Sequence, residues 1–237
     1  MAKEADETVG LSRATLLERR DTVKELPSRW GRRWPALAIV YGLTIGALAL
    51  AALVSIYRDV PVAFSLRDPT ATLGAHPLTG VLSNLGVLVW CTAAGICFFT
   101  RAILPRTPAN DEIRSFLRWS GVLTVVLLLD DLFLFHESLA PEYLGLRQRL
   151  VFLGYGIATA WYLARFRRIV LGPEVLVLLA ALVFFTGSVF VDALQERWPS
   201  PWRILFEDGF KLLGIVSWSA YLIRTGARAA SASVRER

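Results

Sequence analysis

The sequence predicts an all-α integral membrane protein, a six-transmembrane-helix bundle with its N- and C-termini cytoplasmic. The first observation is composition, because 54% of the 237 residues are hydrophobic and only 19% are charged, whereas soluble domains carry about 25% charged residues. The second is that the apolar residues fall into six blocks, and the third is the uneven distribution of Lys and Arg between the loops.

Each apolar block is long enough to cross a ~30 Å hydrocarbon core as a helix. The blocks are Ala36–Tyr57, Gly80–Thr100, Trp119–Phe135, Leu150–Phe166, Val175–Leu194 and Ile204–Ile223. They define a transmembrane domain at 35–224, preceded by a cytoplasmic segment at 1–34 and followed by a basic cytoplasmic tail at 225–237. Within the first segment, apolar residues between 12 and 26 recur near helical spacing, which is typical of an amphipathic interfacial helix; the alternative is a disordered tail.

The basic residues predict the orientation. Of the 26 Lys and Arg residues, nineteen precede the first block, follow the last block, or lie in the second and fourth loops. Six arginines lie in the other loops, and Lys211 lies within the last block. By the positive-inside rule the richer side is cytoplasmic. The basic pI of about 9.7 therefore reflects topology and not nucleic-acid binding, and we expect a multi-pass protein of a prokaryotic plasma (inner) membrane.

The third block ends in ionisable residues, within the stretch LLLDDLFLFHESL at 127–139. A charged side chain at the centre of a membrane-spanning helix costs roughly 2.5–3.5 kcal/mol on insertion scales. Asp130 and Asp131 therefore indicate a functional site. Asp130 and Glu137 share a helix face, whereas His136 points away from both aspartates unless the helix has already ended there.

The fifth block ends in a polar stripe made by Ser188, Asp192 and Glu196, spaced four residues apart. The third and fifth blocks run outward and the sixth begins outside, so their ionisable residues are expected at one depth near the outer surface. We predict that Asp130, Asp192 and Asp208 converge there in an acidic pocket.

The sixth block carries one cation among its acids. Glu207 and Asp208 precede Lys211 by four and three residues, so both are expected to reach it along the helix surface. Gly214 continues the same face and permits close approach of a neighbouring helix.

The carboxylates of the third and fifth blocks lie near C-terminal helix ends, where negative charge is unfavourable. They therefore need a positive partner: Lys211, the outer arginines, bound protons or a bound cation. Several carboxylates with few histidines and no nearby cysteine are typical of a hard-cation or mixed oxygen–nitrogen site. The sequence thus predicts a divalent metal ion of open identity, with the candidate ligands Asp130, Asp131, His136, Asp192, Glu207 and Asp208.

These observations favour a metal-dependent hydrolase or transferase that acts on a lipid or lipid-linked substrate at the outer leaflet. A metal-bound water is the expected nucleophile. Glu137 or Glu196 is the candidate general base, and Lys211 or Arg147 is the candidate group that receives a phosphate or oxyanion. One alternative is a cation or proton carrier, although no acid lies in the inner half of any block. The other is a non-catalytic scaffold whose buried charges form a structural salt-bridge network.

Overall fold

The computed structural model describes residues 34–59, 61–67, 69–76, 78–194, 197 and 200–235. This part of the chain is all-helical and contains no strand. It divides into two compact units, one up to Thr79 and one from Gly80 onward. The expected interfacial helix at 12–26 and the candidate base Glu196 lie outside the described residues.

The first unit contains one long helix and two short ones. Helix α1 covers Trp34–Arg58 and has no charged residue before Arg58. It is followed by α2 at Ala63–Leu66 and α3 at Pro69–Leu73. A proline is tolerated at the start of α3 because the first N–H groups of a helix have no partner within that helix.

The second unit contains the remaining helices. They are α4 (Val81–Ile103), α5 (Asp111–Phe133), α6 (Ala140–Leu144), α7 (Gln148–Arg165), α8 (Arg167–Val170), α9 (Val175–Ala193) and α10 (Pro201–Arg235). A π-helical turn at Phe135–Leu139 follows α5. Helix α10 packs against α9 and α4, and α4 packs against α5. Since α10 continues to Arg235, most of the expected tail at 225–237 extends the last helix.

Three of the described helices are long and apolar enough to cross a membrane, not the six that the sequence predicted. They are α4, α9 and the Tyr41–Arg58 part of α1. Helices α5, α7 and α10 contain 23, 18 and 35 residues, so their length is sufficient. Their charged residues make them less apolar, and five of those charged residues line the cavity described below: Asp130, Asp131, Glu207, Asp208 and Lys211.

An aromatic core fills the end of the second unit at which α5 begins. The ring of Phe116 lies 5.8 Å from that of Tyr162 and 5.6 Å from that of Phe166, measured between centroids. It also lies 6.3 Å from the ring of Tyr221. All four side chains are fully buried, so these rings form a packed core at this end. The cavity lies toward the opposite ends of the same helices.

A carboxylate clamp joins α10 to the start of α9. Glu174 is buried and accepts a 2.6 Å hydrogen bond from Arg224 Nε, and Arg228 forms a second ion pair with it. The hydrogen bond from Arg224 is the main reason that the pKa of Glu174 lies below its usual range. The clamp therefore holds its full strength only while Glu174 is ionised.

Candidate functional site

A cavity of about 490 Å³ lies in the second unit between α5, α7, α9 and α10. This volume is within the range of small-molecule sites in proteins, ~300–1,000 Å³. Every candidate residue from the sequence, except the undescribed Glu196, lines it: Asp130, Asp131, His136, Glu137, Asp192, Glu207, Asp208 and Lys211. The structure thus brings these side chains together, while their roles as metal ligands or catalytic groups stay predictions.

Asp130 is the centre of a hydrogen-bond network. Its Oδ2 lies 2.6 Å from His136 Nδ1, and its Oδ1 accepts hydrogen bonds from the His136 backbone N–H at 3.0 Å and the Tyr155 hydroxyl at 2.7 Å. On the far side of the imidazole, Nε2 lies 3.4 Å from Glu137 Oε1. Carboxylate oxygens thus face both ring nitrogens, an arrangement that an imidazolium satisfies by donating from both.

The backbone at Leu134 makes this contact geometrically feasible. Leu134 has φ 50° and ψ 43°, the left-handed region that a leucine rarely adopts. Helix α5 therefore ends at Phe133, and the π-helical turn that follows carries His136 back over Asp130. On a continuous helix, His136 would point away from Asp130. The sequence analysis expected the two to meet only if the helix ended before His136, and the structure shows that it ends at Phe133.

Lys211 forms its ion pair with Asp131 of α5 and not with Glu207 or Asp208 of its own helix. The expected pairing along α10 is wrong because Lys211 reaches across to α5, where the Asp131 side chain is only 5% exposed. A buried carboxylate needs a compensating charge much more than an exposed one does. Glu207 pairs instead with Arg203, one helical turn earlier.

Two polar atoms of the cavity wall have weaker compensation. Asp192 Oδ2 accepts a 3.0 Å hydrogen bond from the neutral amide of Gln148. Asp131 Oδ2 is buried and has no hydrogen-bond partner among the residues that the structure describes. Leaving a buried acceptor unpaired costs about 1–3 kcal/mol, so the wall retains unused acceptor capacity.

The predicted metal site finds no support in this geometry. In the described part of the chain, no three His, Cys, Asp or Glu side chains are grouped so that they can hold a metal ion together. Asp130, Asp131 and Glu207 each accept from a protein donor, and a metal ion would have to displace those donors. These three carboxylates are therefore engaged with protein donors in this structure, and the assignment of all six residues as metal ligands stays a prediction.

The floor of the cavity is apolar, and the sequence did not identify it. Trp90 and Phe185 stack with their ring centroids 5.8 Å apart and their planes within 2°, and both line the cavity. Tyr155 and Phe152 line it from α7. A signal for α7 was present, since Gln148, Phe152 and Tyr155 recur at helical spacing, but an apolar helix offered no reason to single them out.

Comparison with known proteins identifies the family. A family model described as a domain of unknown function, DUF8692, matches residues 38–225. The chain belongs to the DUF8692 family. All the residues that line the cavity lie within this DUF8692 match. No curated protein and no solved structure matches the chain significantly.

Proposed function

We propose that this DUF8692 protein crosses the membrane six times, with both ends cytoplasmic, and binds an amphipathic lipid or lipid-linked molecule from the outer leaflet. Helices α1, α4 and α9 support this by their composition. For α5, α7 and α10 the support is their length and the cavity between them, because polar residues on its wall need not face hydrocarbon. The excess of Lys and Arg on one side supports the orientation.

We further propose that the cavity performs acid–base chemistry on the bound molecule, as a hydrolase or transferase. The observation that carries this is the Asp130–His136 hydrogen bond of 2.6 Å inside the cavity. A carboxylate on Nδ1 fixes the imidazole tautomer and orientation, which leaves Nε2 to exchange protons with water or substrate.

In this proposal His136 and Glu137 exchange protons with the substrate, since Glu137 is half-exposed beside Nε2. Asp130 and Tyr155 position the imidazole. Lys211 neutralises Asp131 in place of the phosphate-binding role that the sequence suggested. The steps proposed here use only protein side chains: His136, Glu137, Asp130 and Tyr155.

The test uses the full-length protein, reconstituted in vesicles made from the membrane lipids of its expression host. Mass spectrometry follows which lipid species disappear and which appear, with and without a chelator. We expect the wild type to convert at least one lipid class, and His136→Gln to lower that rate by about 10²–10⁴-fold, the usual contribution of a general acid or base.

The control is Glu142→Gln, which removes an exposed carboxylate that does not line the cavity. It should retain the wild-type rate, and thermal unfolding checks that both variants are folded. Conversion by a folded His136→Gln at the wild-type rate would refute the role of the imidazole. If a chelator abolished conversion and one divalent metal restored it, the metal-dependent hydrolase or transferase would be the better interpretation.

A further inference from the structure

We infer that the cavity selects amphiphiles whose headgroup carries a positive charge, as a primary amine or a quaternary ammonium group does. This inference rests on the proposed function, because it names the chemical class of the molecule that occupies the same site. It is carried by the charge balance of the cavity wall, by an unpaired buried oxygen and by the aromatic floor.

The wall is acidic even after its internal pairs are counted. Among the residues that line the cavity, six are acidic and only two, His136 and Lys211, are basic. Both bases are already paired, with Asp130 and Asp131. A phosphate or sulfate headgroup therefore finds no free cation on the described wall, and the surplus carboxylates repel it.

Of the other four acids, Glu137 lies beside His136 and Glu207 pairs with Arg203, so Asp192 and Asp208 supply the surplus. Asp192 is hydrogen-bonded to the amide of Gln148, which carries no charge. Asp208 lines the cavity and forms no ion pair with any described residue within 4.0 Å. Negative charges at a site of restricted water access interact more strongly with a ligand cation than they do in bulk water.

The second, independent observation is the unpaired oxygen of Asp131. This residue is 7% exposed and lines the cavity, and its Oδ2 has no hydrogen-bond partner in the described chain. Buried carboxylate oxygens are normally satisfied. Lys211 already balances the charge of Asp131 through Oδ1, so what Oδ2 lacks is a hydrogen-bond donor, and the N–H groups of an amine headgroup can supply one.

The aromatic and aliphatic side chains complete the fit. Phe152 and Tyr155 present rings beside the acidic wall, and ring faces attract ammonium groups. Below them, Trp90, Phe185 and Leu182 form an apolar floor that suits a hydrocarbon tail. One cavity therefore offers both parts that a cationic amphiphile requires.

The experiment uses the full-length protein in maltoside micelles with three probes that share a brominated tetradecyl tail. Their headgroups are trimethylammonium, sulfate and maltoside. Bromine quenches nearby tryptophans, and the Trp90 contribution is the difference between wild type and Trp90→Phe, both checked for folding by thermal unfolding. We expect the trimethylammonium probe to quench Trp90 with an apparent affinity at least about tenfold above that of the sulfate probe, which corresponds to roughly 1.4 kcal/mol.

Charge-removing variants test the cause. Asp192→Asn combined with Asp208→Asn should lower the affinity for the trimethylammonium probe while leaving the maltoside probe unchanged, and Glu142→Gln should change neither. Equal or tighter binding of the sulfate probe would overturn the inference but leave the proposed amphiphile site intact. Failure of all three probes to quench Trp90 would overturn both the inference and the proposed binding function.

Discussion

Close packing of α10 against α9 at Gly214 is a feature that a single methyl group can test. A Cβ at Gly214 would lie 2.7 Å from Phe185 Cδ1, 2.8 Å from Cε1 and 3.0 Å from Cγ. Carbon atoms prefer separations of about 3.5–4.0 Å, so the new methyl group would be at least about 0.5 Å too close to each of these three ring atoms. Phe185 cannot yield freely, because its ring is stacked on Trp90.

Gly209, on the same helix, provides a matched control, because a Cβ there meets nothing within 4 Å. Replacing glycine by alanine within a helix gains about 1 kcal/mol in propensity at either position. Overpacking at Gly214 costs about 1–3 kcal/mol. We therefore expect Gly214→Ala to have a free energy of unfolding about 1–3 kcal/mol below that of Gly209→Ala, with the propensity gain cancelling between the two.

The assay is reversible unfolding of the full-length protein in mixed micelles, with each variant compared with wild type. A Phe185→Leu substitution provides the second half of a double-mutant cycle, since a smaller side chain should remove most of the penalty at Gly214. Equal stability of Gly214→Ala and Gly209→Ala would show that α10 and α9 do not approach closely at this point. That result would also contradict the argument that packing against Gly214 holds Phe185 in the cavity floor.

Other substitutions test the ion pairs and the orientation. Asp131→Asn should destabilise the protein by about 3 kcal/mol because it leaves a charged Lys211 unpaired, and adding Lys211→Met should recover much of that loss; no recovery in unfolding measurements would contradict the pairing. Because the pKa of Glu174 is lowered in the folded protein, its contribution to stability is fully present above its ordinary pKa of 4.5 and declines as the pH falls through the lowered value. The stability of Glu174→Gln should therefore fall less steeply than that of the wild type as the pH is lowered below 4.5. An equal loss of stability in both proteins would refute the role of Glu174. In a cysteine-free background, an impermeant maleimide should label Tyr143→Cys in intact cells and Ser231→Cys only after permeabilisation, whereas the reverse pattern would invert the proposed orientation.

The sequence was sufficient to locate the long helices. Five of the six apolar blocks coincide with most of α1, α4, α7, α9 and α10, and the block at 119–135 overlaps α5. Helix length and apolar composition are local properties, so they can be read without knowledge of packing. The sequence predicted the number of membrane crossings less well, because only three of these helices are long and apolar enough to cross a membrane by length and composition.

Prediction of contacts between helices was less successful. Lys211 was expected to reach Glu207 and Asp208 within α10, since residues three and four positions apart are neighbours on every helix, and it was also one of several possible partners for the carboxylates of the third block. The partner in the structure is Asp131, on a helix about eighty positions away in the chain. A sequence pattern shows which groups share a helix face, but only packing decides which face meets another helix.

By itself, the sequence determined that this protein is helical, that its ionisable residues gather toward one end of several helices, and which side chains belong to that group. It could do so because helical rise and periodicity convert residue number into depth and direction. Only the tertiary structure decided that α5 ends at Leu134, that His136 therefore returns to Asp130, and that aromatic side chains from α4, α7 and α9 complete the cavity. These outcomes depend on a single left-handed residue and on side chains from separate helices, so they follow from packing and not from any local pattern.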